Sequence, residues 1–206
     1  MGALVYTGIT SLDGRTADEA GDISWAAPGA EVHRFITETA LSQRTLLYGR
    51  RMYETMLAWE VGFALAEEYD FIRDFQQHWR DADKVVYSST LSGVRSSRTR
   101  LERVFDAAAI ARDVRECGHD VSIGGAALAG AALRAGIVDE VRSFVVPVTL
   151  GGGTPFLPEG LRARLDLREE RVFRDGTVYL RYGVRCPPVQ AEAPSSAVTR
   201  EAISPP

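Results

Sequence analysis

Two periods of hydrophobic residues alternate along the chain, and this pattern predicts an α/β fold. Short apolar and β-branched runs predict buried strands at residues 3–10, 45–48, 84–88, 101–105, 121–123 and 138–148. Apolar residues at helical spacing predict helices at residues 29–41, 50–57, 64–79, 107–116 and 126–135. Because strands and helices take turns along the chain, we expect a mostly parallel sheet covered by helices.

The C-terminal part of the chain changes to a period of two. Residues 165–173 and 177–185 alternate around Asp175-Gly176, a dipeptide typical of a tight β-hairpin turn. This hairpin would add antiparallel strands to the parallel sheet. Residues 187–206 are rich in Pro, Ala, Ser and Glu and predict a tail without a core of its own. We therefore expect one domain over residues 1–186, followed by the tail.

A Gly-Gly turn is the most informative local feature of the sequence. Residues 121–128, Val-Ser-Ile-Gly-Gly-Ala-Ala-Leu, predict a buried strand that turns at two glycines into a helix. Such glycines expose N–H groups at a helix N-terminus and let an oxyanion approach where a Cβ would block it. The alternative is a tight turn that only packs closely. The turn predicts a pyrophosphate cradle made by Ile123, Gly124, Gly125, Ala126, Ala127 and Leu128.

Two further strand ends carry groups that bind anions. After Gly49, Arg50 and Arg51 occupy the first turn of a helix, where the positive helix end disfavours them unless an anion lies between them. Ser88-Ser89 ends another strand with two hydroxyl donors. The alternatives are a solvated basic turn and ordinary turn-forming serines. Together, the three strand ends predict a nucleotide lying across the carboxyl edge of the sheet.

A series of short motifs runs in a specific order over residues 2–185. In chain order they are Ser11-Leu12-Asp13-Gly14, Leu47-Tyr48-Gly49-Arg50-Arg51-Met52-Tyr53, Ser88-Ser89, Ile123-Gly124-Gly125, Gly136-Ile137-Val138-Asp139-Glu140-Val141 and Pro147-Val148-Thr149-Leu150-Gly151-Gly152-Gly153-Thr154-Pro155-Phe156. This order resembles the dihydrofolate-reductase-like superfamily and is most similar to the reductase domain of bacterial riboflavin biosynthesis. The resemblance implies a three-layer α/β sandwich, NADPH as the cofactor and a twofold homodimer built through the C-terminal hairpin.

The resemblance also assigns two halves of a reductase site. It implies that Arg50, Arg51, Ser88 and Ser89 hold the cofactor phosphates, including a 2′-phosphate, and that Ile9 and Thr10 lie against the nicotinamide. It places the substrate beside Asp13, Trp25, Glu31 and Gly152, with Asp13 as the catalytic residue. Residue chemistry leaves alternatives open: an Asx turn for Asp13, core packing for Trp25 and a helix-dipole contact for Glu31.

Composition narrows the classes of partner. The net charge of −4 and the lack of a basic stripe argue against nucleic acid. No apolar run is long enough to span a membrane, and the N-terminus lacks the charged region and cleavage site typical of a signal peptide, so we expect a cytoplasmic protein. Cys117 and Cys186 form no disulfide framework, and the three scattered histidines lack the spacing of zinc ligands.

Three functions are compatible with this sequence. The first is an NADPH-dependent reductase that transfers a hydride to a small heterocyclic, imine or carbonyl substrate, similar to the 5-amino-6-(5-phosphoribosylamino)uracil reductases. The second is a dihydrofolate or pterin reductase of the same fold. The third is a nucleotide-binding regulatory dimer without turnover. Hydride transfer needs few protein groups, because the cofactor carries the reactivity, and this agrees with the absence of a nucleophile motif.

Overall fold

The computed structural model describes residues 1–185, so the predicted tail at 187–206 lies outside the described residues. Its strands are β1 Leu4–Thr10, β2 Arg15–Ala17, β3 Gln43–Gly49, β4 Asp83–Tyr87, β5 Thr99–Glu102, β6 Asp120–Gly124, β7 Glu140–Val145, β8 Thr154–Pro155, β9 Arg164–Val172 and β10 Val178–Arg185. Its helices are α1 Ala30–Ala40, α2 Arg50–Met56, α3 Ala58–Val61, α4 Leu65–Glu68, α5 Asp70–Asp81, α6 Ala107–Glu116 and α7 Ala126–Arg134, with a 3-10 turn at Ser24–Ala26.

A single large sheet organises these elements. Eight strands pair in the order β5-β4-β3-β6-β1-β7-β10-β9, and β2 pairs with β8 in a separate two-stranded sheet. The first five pairings of the large sheet are parallel. The pairings of β10 with β7 and β9 are antiparallel. The predicted α/β class, with its parallel sheet and C-terminal hairpin, is confirmed.

Helices cover both faces of the large sheet. On one face, side chains of α6 and α7 such as Ile110 and Leu133 pack on strand residues such as Leu47. On the other face, Tyr53 of α2 and Trp79 of α5 join a second cluster with Leu46 and Tyr48, whereas α1 packs on the hairpin side through Val32. Neighbouring residues such as Leu46 and Leu47 face opposite layers because strand side chains alternate.

The prediction of one continuous helix over residues 64–79 is wrong, because the helix is interrupted at Tyr69. Tyr69 has extended dihedral angles (φ −119°, ψ 118°) and separates α4 from α5. Its carbonyl accepts hydrogen bonds from the N–H groups of Ile72 and Arg73, each at 3.2 Å. The apolar stripe is therefore shared between two helices that pack on each other, which a single-helix periodicity cannot reveal.

The predicted strand at 138–148 is shorter than its apolar run. Its last paired residue is Val145, which lies opposite Thr10 of β1 and Val178 of β10. Pro147 follows and has no N–H group with which to continue the ladder. The chain turns away at this point, and this turn carries residues 146–153 toward the end of β1.

Candidate active site

The parallel strands bring several loops to one edge of the sheet. Strands β4, β3, β6 and β1 are neighbours and run in the same direction. The residues that follow them therefore meet at the carboxyl edge: in sheet order, Ser88, Arg50, Gly125 and Ser11. The sheet thus brings together the three strand ends from which the sequence predicts nucleotide binding.

The two glycine turns at this edge pack directly on each other. Gly125 has a left-handed φ of +93°, and a Cβ on it would lie 3.2 Å from Cβ of Met52 and 3.7 Å from the Gly49 nitrogen. A Cβ on Gly124 would lie 3.0 Å from the ring of Tyr48. Packing and backbone conformation therefore both require glycine at position 125, and the turn presents bare backbone at the edge.

Neither α2 nor α7 is capped by a side chain at its N-terminus. Gly49 and Gly125 occupy the N-cap positions and have no capping group. The first hydrogen bond of α7 is donated by the Ala129 N–H to the Gly125 carbonyl (2.9 Å). The N–H groups of Ala126, Ala127 and Leu128 precede it, and with the positive end of α7 they suit an oxyanion. Any contribution of Ile123 would come from its backbone, because its side chain is buried in the core.

The two arginines of α2 differ in their contacts. Nε of Arg50 donates to Glu54 (2.9 Å), and Nη1 donates to the Thr90 hydroxyl (3.0 Å), so this side chain bridges α2 and the loop after β4. Arg51 is exposed, and within residues 1–185 its guanidinium has no carboxylate partner. The edge therefore holds one positioned cation and one that is free to bind an anion.

The serines after β4 form a turn and also face the edge. Oγ of Ser88 accepts hydrogen bonds from the N–H groups of Thr90 (3.3 Å) and Leu91 (3.0 Å), which is the turn-forming role. Ser89 is exposed. Arg103, which follows β5, donates to the carbonyls of Ser88 (3.0 Å) and Leu91 (2.7 Å) and holds this loop.

A cavity of about 190 Å³ lies on the sheet face covered by α1, α2 and α5. Its wall includes Gly124 of the glycine turn and Met52, which packs against Gly125, so the cavity adjoins the edge described above. Within residues 1–185, no aspartate, glutamate, lysine or arginine lines it. The wall consists of Thr7, Gly8, Ile9, Ile36, Thr39, Ala40, Gln43, Leu46, Tyr48, Met52, Met56, Phe75, His78, Trp79, Ser122, Gly124 and Phe144.

Strand β1 crosses the floor of the cavity. Ile9 lies in the wall and packs beside the cluster of Val32 and Phe144. The side chain of Thr10 is buried elsewhere, and its hydroxyl lies 2.9 Å from that of Ser143. Of the two β1 residues assigned to the nicotinamide, the structure thus brings Ile9 to the cavity and directs Thr10 toward the neighbouring strand.

Asp13 fastens two loops beside the end of β1. One carboxylate oxygen accepts hydrogen bonds from the Ser11 hydroxyl (2.6 Å) and the Leu150 N–H (3.1 Å), and the other from the Gly151 N–H (2.8 Å). These hydrogen bonds lower the pKa of Asp13 to about 2, and the bond from the Ser11 hydroxyl has the largest effect. The group is a carboxylate at neutral pH and is not part of the cavity wall.

The other residues assigned to the substrate also lie outside the cavity wall. Trp25 donates its indole N–H to the Asp22 carbonyl (3.1 Å). Glu31 faces the hairpin, 3.8 Å from the guanidinium of Arg171. Gly152 packs so closely on the Glu19 side chain that a Cβ there would clash.

Sequence reasoning missed the polar groups that do line the cavity. His78 and Trp79 belong to the amphipathic helix α5, and their helical spacing indicated only core packing. Nε2 of His78 is buried without a hydrogen-bond partner among the described residues, and the buried indole N–H of Trp79 lies close to the Tyr48 hydroxyl. No periodic pattern in the sequence could reveal that these residues line a cavity, since the cavity depends on how α1, α2 and α5 meet above the sheet.

Solved structures of similar shape define the class of this protein. The chain matches a putative riboflavin biosynthesis protein from Shewanella sp. PV-4 with a TM-score of 0.68 at 21% identity, covering 89% of this chain and 99% of that one. It also matches the dihydrofolate reductase of Enterococcus faecalis, solved with NADP(H), with a TM-score of 0.58 at 14% identity, covering 89% and 97% of the two chains. The fold is therefore dihydrofolate-reductase-like.

The family follows from the sequence match. The family model of the RibD C-terminal domain matches residues 3–180, and the chain belongs to that family. The protein YyaP of Bacillus subtilis (strain 168) is 26% identical over 178 residues, which cover 84% of this chain and 89% of YyaP. The resemblance inferred from the short motifs is confirmed, and family membership supports a reductase of the riboflavin-biosynthesis type.

Among residues 1–185, no cluster of three or more His, Cys, Asp or Glu side chains has the arrangement of a metal site. No helix in the same range has the length and apolar character needed to cross a membrane.

Proposed function

We propose that the protein is an NADPH-dependent reductase that transfers a hydride to a small heterocyclic, imine or carbonyl substrate. One observation carries the proposal: Gly124 of the glycine turn and Met52, which packs against Gly125, both lie in the wall of the adjoining cavity. A bound dinucleotide would therefore have an anion-binding edge for its phosphates and, next to it, an uncharged cavity for its reacting ring.

The residues at the edge fit a nicotinamide dinucleotide. Bare backbone at Gly124 and Gly125 and the uncapped amides of α7 suit a pyrophosphate, and a side chain at Gly125 would fill this cradle. Ile9 and the adjoining floor of β1 would orient the nicotinamide, and the apolar wall would exclude water. The cofactor, when bound, supplies the hydride.

The preference for NADPH rests on the charged groups at the edge. Arg50 is held by Glu54 and Thr90, Arg51 is free, and Ser88 and Ser89 lie on the next loop. Two arginines and two serine hydroxyls offer several hydrogen-bond donors, and such donors suit a ribose that carries a 2′-phosphate. NADH lacks that phosphate and would leave these donors without an anion.

Asp13 is assigned a positioning role in this proposal. Its carboxylate stays ionised at neutral pH and is occupied by the amides of Leu150 and Gly151. It would hold the loop after β7 against the turn after β1, beside the mouth of the site. For a part of the substrate that lies outside the cavity, the proposed contacts are Trp25, Glu31 and Gly152.

The experiment that tests the proposal has two stages. NADPH and NADH are titrated against the full chain by calorimetry, and loss of reduced-nicotinamide absorbance is then followed with a panel of phosphoribosylaminouracils, dihydropterins and simple cyclic imines. We expect tighter binding of NADPH and oxidation with a member of the first or last class. Oxidation with dihydropterins alone would favour the pterin reductase, and tight binding without any oxidation would favour a regulatory nucleotide-binding protein.

We also propose a cytoplasmic homodimer assembled through the hairpin. Strand β9 forms one edge of the large sheet, and its Leu167 and Val172 are 52% and 72% exposed. An edge with exposed apolar residues favours pairing with a second copy. Cys117 is a free, exposed thiol, which is compatible with a reducing compartment. Light scattering at micromolar concentration tests the dimer, and a monomeric mass both for the full chain and for one ending at Arg185 would contradict it.

A further inference from the structure

The turn at residues 88–91, which follows β4, is held by two sets of hydrogen bonds. Within the turn, Oγ of Ser88 accepts from the N–H groups of Thr90 (3.3 Å) and Leu91 (3.0 Å). From the neighbouring strand, Nη1 of Arg103 donates to the carbonyls of Ser88 (3.0 Å) and Leu91 (2.7 Å). Because this nitrogen carries two hydrogens, it can serve both carbonyls at once. The bonds fix both ends of the turn.

Arg103 joins the turn to the end of β5. It follows that strand directly, and the Ser88 N–H donates to the carbonyl of Glu102, the last residue of β5 (3.0 Å). The Glu102 carboxylate pairs with Arg100 (3.2 Å) rather than with Arg103. Arg103 is exposed, and it spends its hydrogen bonds on the carbonyls of the turn. The place of the turn at the sheet edge therefore depends on this side chain.

The same turn orients one of the two arginines at the start of α2. The Thr90 hydroxyl accepts from Nη1 of Arg50 (3.0 Å), and Glu54 accepts from Nε (2.9 Å). Contacts on two nitrogens of a rigid, planar guanidinium fix the orientation of its plane. Neither contact uses Nη2, so that nitrogen can still donate to an anion.

These bonds form a continuous chain from β5 to α2, which we call the Arg103–Arg50 relay. Arg103 holds the Ser88 carbonyl, the Ser88 hydroxyl holds the Thr90 N–H, and the Thr90 hydroxyl holds Arg50. An arginine that is already held loses less conformational freedom when it binds an anion, so its binding is tighter. A shift of the turn would release Arg50 and remove this advantage.

We propose that Arg103 is a positioning residue for recognition of a ribose 2′-phosphate: it fixes the 88–91 turn and, through Thr90, orients Arg50 toward that phosphate. This inference rests on the proposed function, because it takes the anion at the edge to be the 2′-phosphate of NADPH. Arg103 acts through the turn and does not touch the phosphate. Discrimination between NADPH and NADH therefore depends partly on a residue of the β5 end.

The test compares two nucleotides that differ in the 2′-phosphate. 2′,5′-ADP carries this group and 5′-AMP lacks it, and both are titrated calorimetrically against the full chain. The unmodified protein should bind 2′,5′-ADP more tightly. Arg103→Ala should weaken 2′,5′-ADP by about 2- to 10-fold, the effect of losing one pre-ordered side chain, and 5′-AMP by less than about twofold. A merely structural role would weaken both nucleotides alike.

Two further variants separate positioning from charge. Arg100→Ala is the matched control, because it removes an equal exposed charge from β5 without touching the turn. Its ratio of the two affinities should stay within about twofold of the unmodified protein, since exposed charges are well screened. Arg103→Lys keeps a cationic donor for the carbonyls and should recover part of the loss. A loss in Arg100→Ala as large as that in Arg103→Ala would overturn the proposal.

A double-mutant cycle tests the relay itself. Thr90→Val removes the link to Arg50 and should also weaken 2′,5′-ADP by about 2- to 10-fold. If both residues act through Arg50, the double variant Arg103→Ala/Thr90→Val should bind no more weakly than the weaker single variant. Additive losses would show that Arg103 acts independently of Thr90 and would overturn the relay. If Arg103→Ala does not fold, Arg103→Lys and Thr90→Val decide the matter.

The outcomes separate this inference from the proposed function. An unchanged affinity ratio in a folded Arg103→Ala protein overturns the inference while NADPH binding and reductase activity stand. A relay effect on 2′,5′-ADP in a protein that oxidises NADPH with no candidate substrate overturns the reductase and supports the inference. Equal affinity of the unmodified protein for the two nucleotides overturns both the NADPH preference and the inference, and it is seen before any substitution is made.

Discussion

A β-carbon on Gly125 would lie 3.7 Å from the backbone nitrogen of Gly49. These glycines end neighbouring parallel strands, β6 and β3, and start helices α7 and α2. Their contact brings two uncapped helix N-termini to one point of the sheet edge. The proposed phosphate-binding half of the site would therefore depend on packing between the two turns as well as on the chemistry of each.

Gly125→Ala is expected to abolish NADPH binding and to destabilise the fold only modestly. The new Cβ would meet Cβ of Met52 at 3.2 Å and would fill the proposed cradle. The backbone conformation at this position (φ +93°, ψ 122°) is one that residues with a Cβ rarely adopt, and it adds a cost of about 1–3 kcal/mol to the free energy of folding. Gly125→Val should abolish binding as well, with a larger loss of stability. Calorimetry with NADPH and urea denaturation measure the two effects.

Gly118→Ala is the matched control for that substitution. Gly118 has a left-handed φ of +72°, but a Cβ there would meet nothing within 4 Å. The control should therefore show the conformational cost while NADPH binding is unchanged. Normal NADPH binding by a folded Gly125→Ala protein would show that this glycine serves packing alone.

Arg51→Ala should weaken NADPH by about tenfold or more, since a hydrogen bond to a charged group contributes about 1.5–3 kcal/mol. NADH affinity should change much less, because NADH has no 2′-phosphate. Arg112→Ala, which removes an exposed arginine from α6, is the control. Equal affinity of the unmodified protein for both cofactors would contradict the assignment.

The sequence was sufficient to predict that the proposed phosphate-binding residues lie at one edge of the sheet, because their placement depends on local signals. Gly49, Arg50, Ser88 and Gly125 each follow a strand, and parallel strands place such residues at one edge without any further information. Turn glycines and strand periodicity are short-range features, so the order of elements and the hairpin were predicted correctly as well.

The cavity proposed to hold the substrate was beyond sequence reasoning because it depends on packing between distant elements. The cavity exists because α1, α2 and α5 meet incompletely above the sheet, and no local pattern encodes that gap. Glu31 occupies the first turn of α1, as predicted, but the hairpin that it faces is distant in sequence. The break at Tyr69 also depends on packing between elements, because α4 packs back onto α5.

Replacement of Asp13 should distinguish loop positioning from proton donation. Its carboxylate accepts from the Ser11 hydroxyl and from the amides of Leu150 and Gly151. Asp13→Asn keeps one acceptor oxygen, so it should retain more reductase activity than Asp13→Ala, with NADPH affinity unchanged in both. Equal inactivity of the two variants, together with loss of an acidic limb from the pH–rate profile, would indicate proton donation instead.

Lys84→Met is expected to lower the free energy of unfolding by about 1–3 kcal/mol, since buried acceptors would lose their donor. Lys84 is the only lysine in the sequence and is 1% exposed. Its ammonium group donates to the carbonyls of Trp79 (2.8 Å) and Ala82 (2.7 Å) at the end of α5 and lies 4.5 Å from the Trp79 ring centre. Urea denaturation measures the change, and an unchanged midpoint would show that water replaces the ammonium group.

Mild acid should destabilise the protein through two partly buried histidines. Burial lowers the pKa of both His33 and His78 below the ordinary value of 6.5. As pH falls through 6.5 the unfolded chain gains protons that the folded chain resists, so the free energy of unfolding falls with pH. Near His78, Asp81 opposes this effect and Lys84 strengthens it.

Denaturation in urea at about pH 7.5 and about pH 5.5 tests the sign and the source of this effect. The midpoint should be lower at the more acidic pH, and His78→Phe should reduce the difference, because one of the two groups no longer titrates. Asp13, with a pKa of about 2, titrates below this window and does not contribute to the difference. A midpoint that rises on acidification, or an identical pH dependence in His78→Phe, would contradict a neutral His78 in the cavity wall.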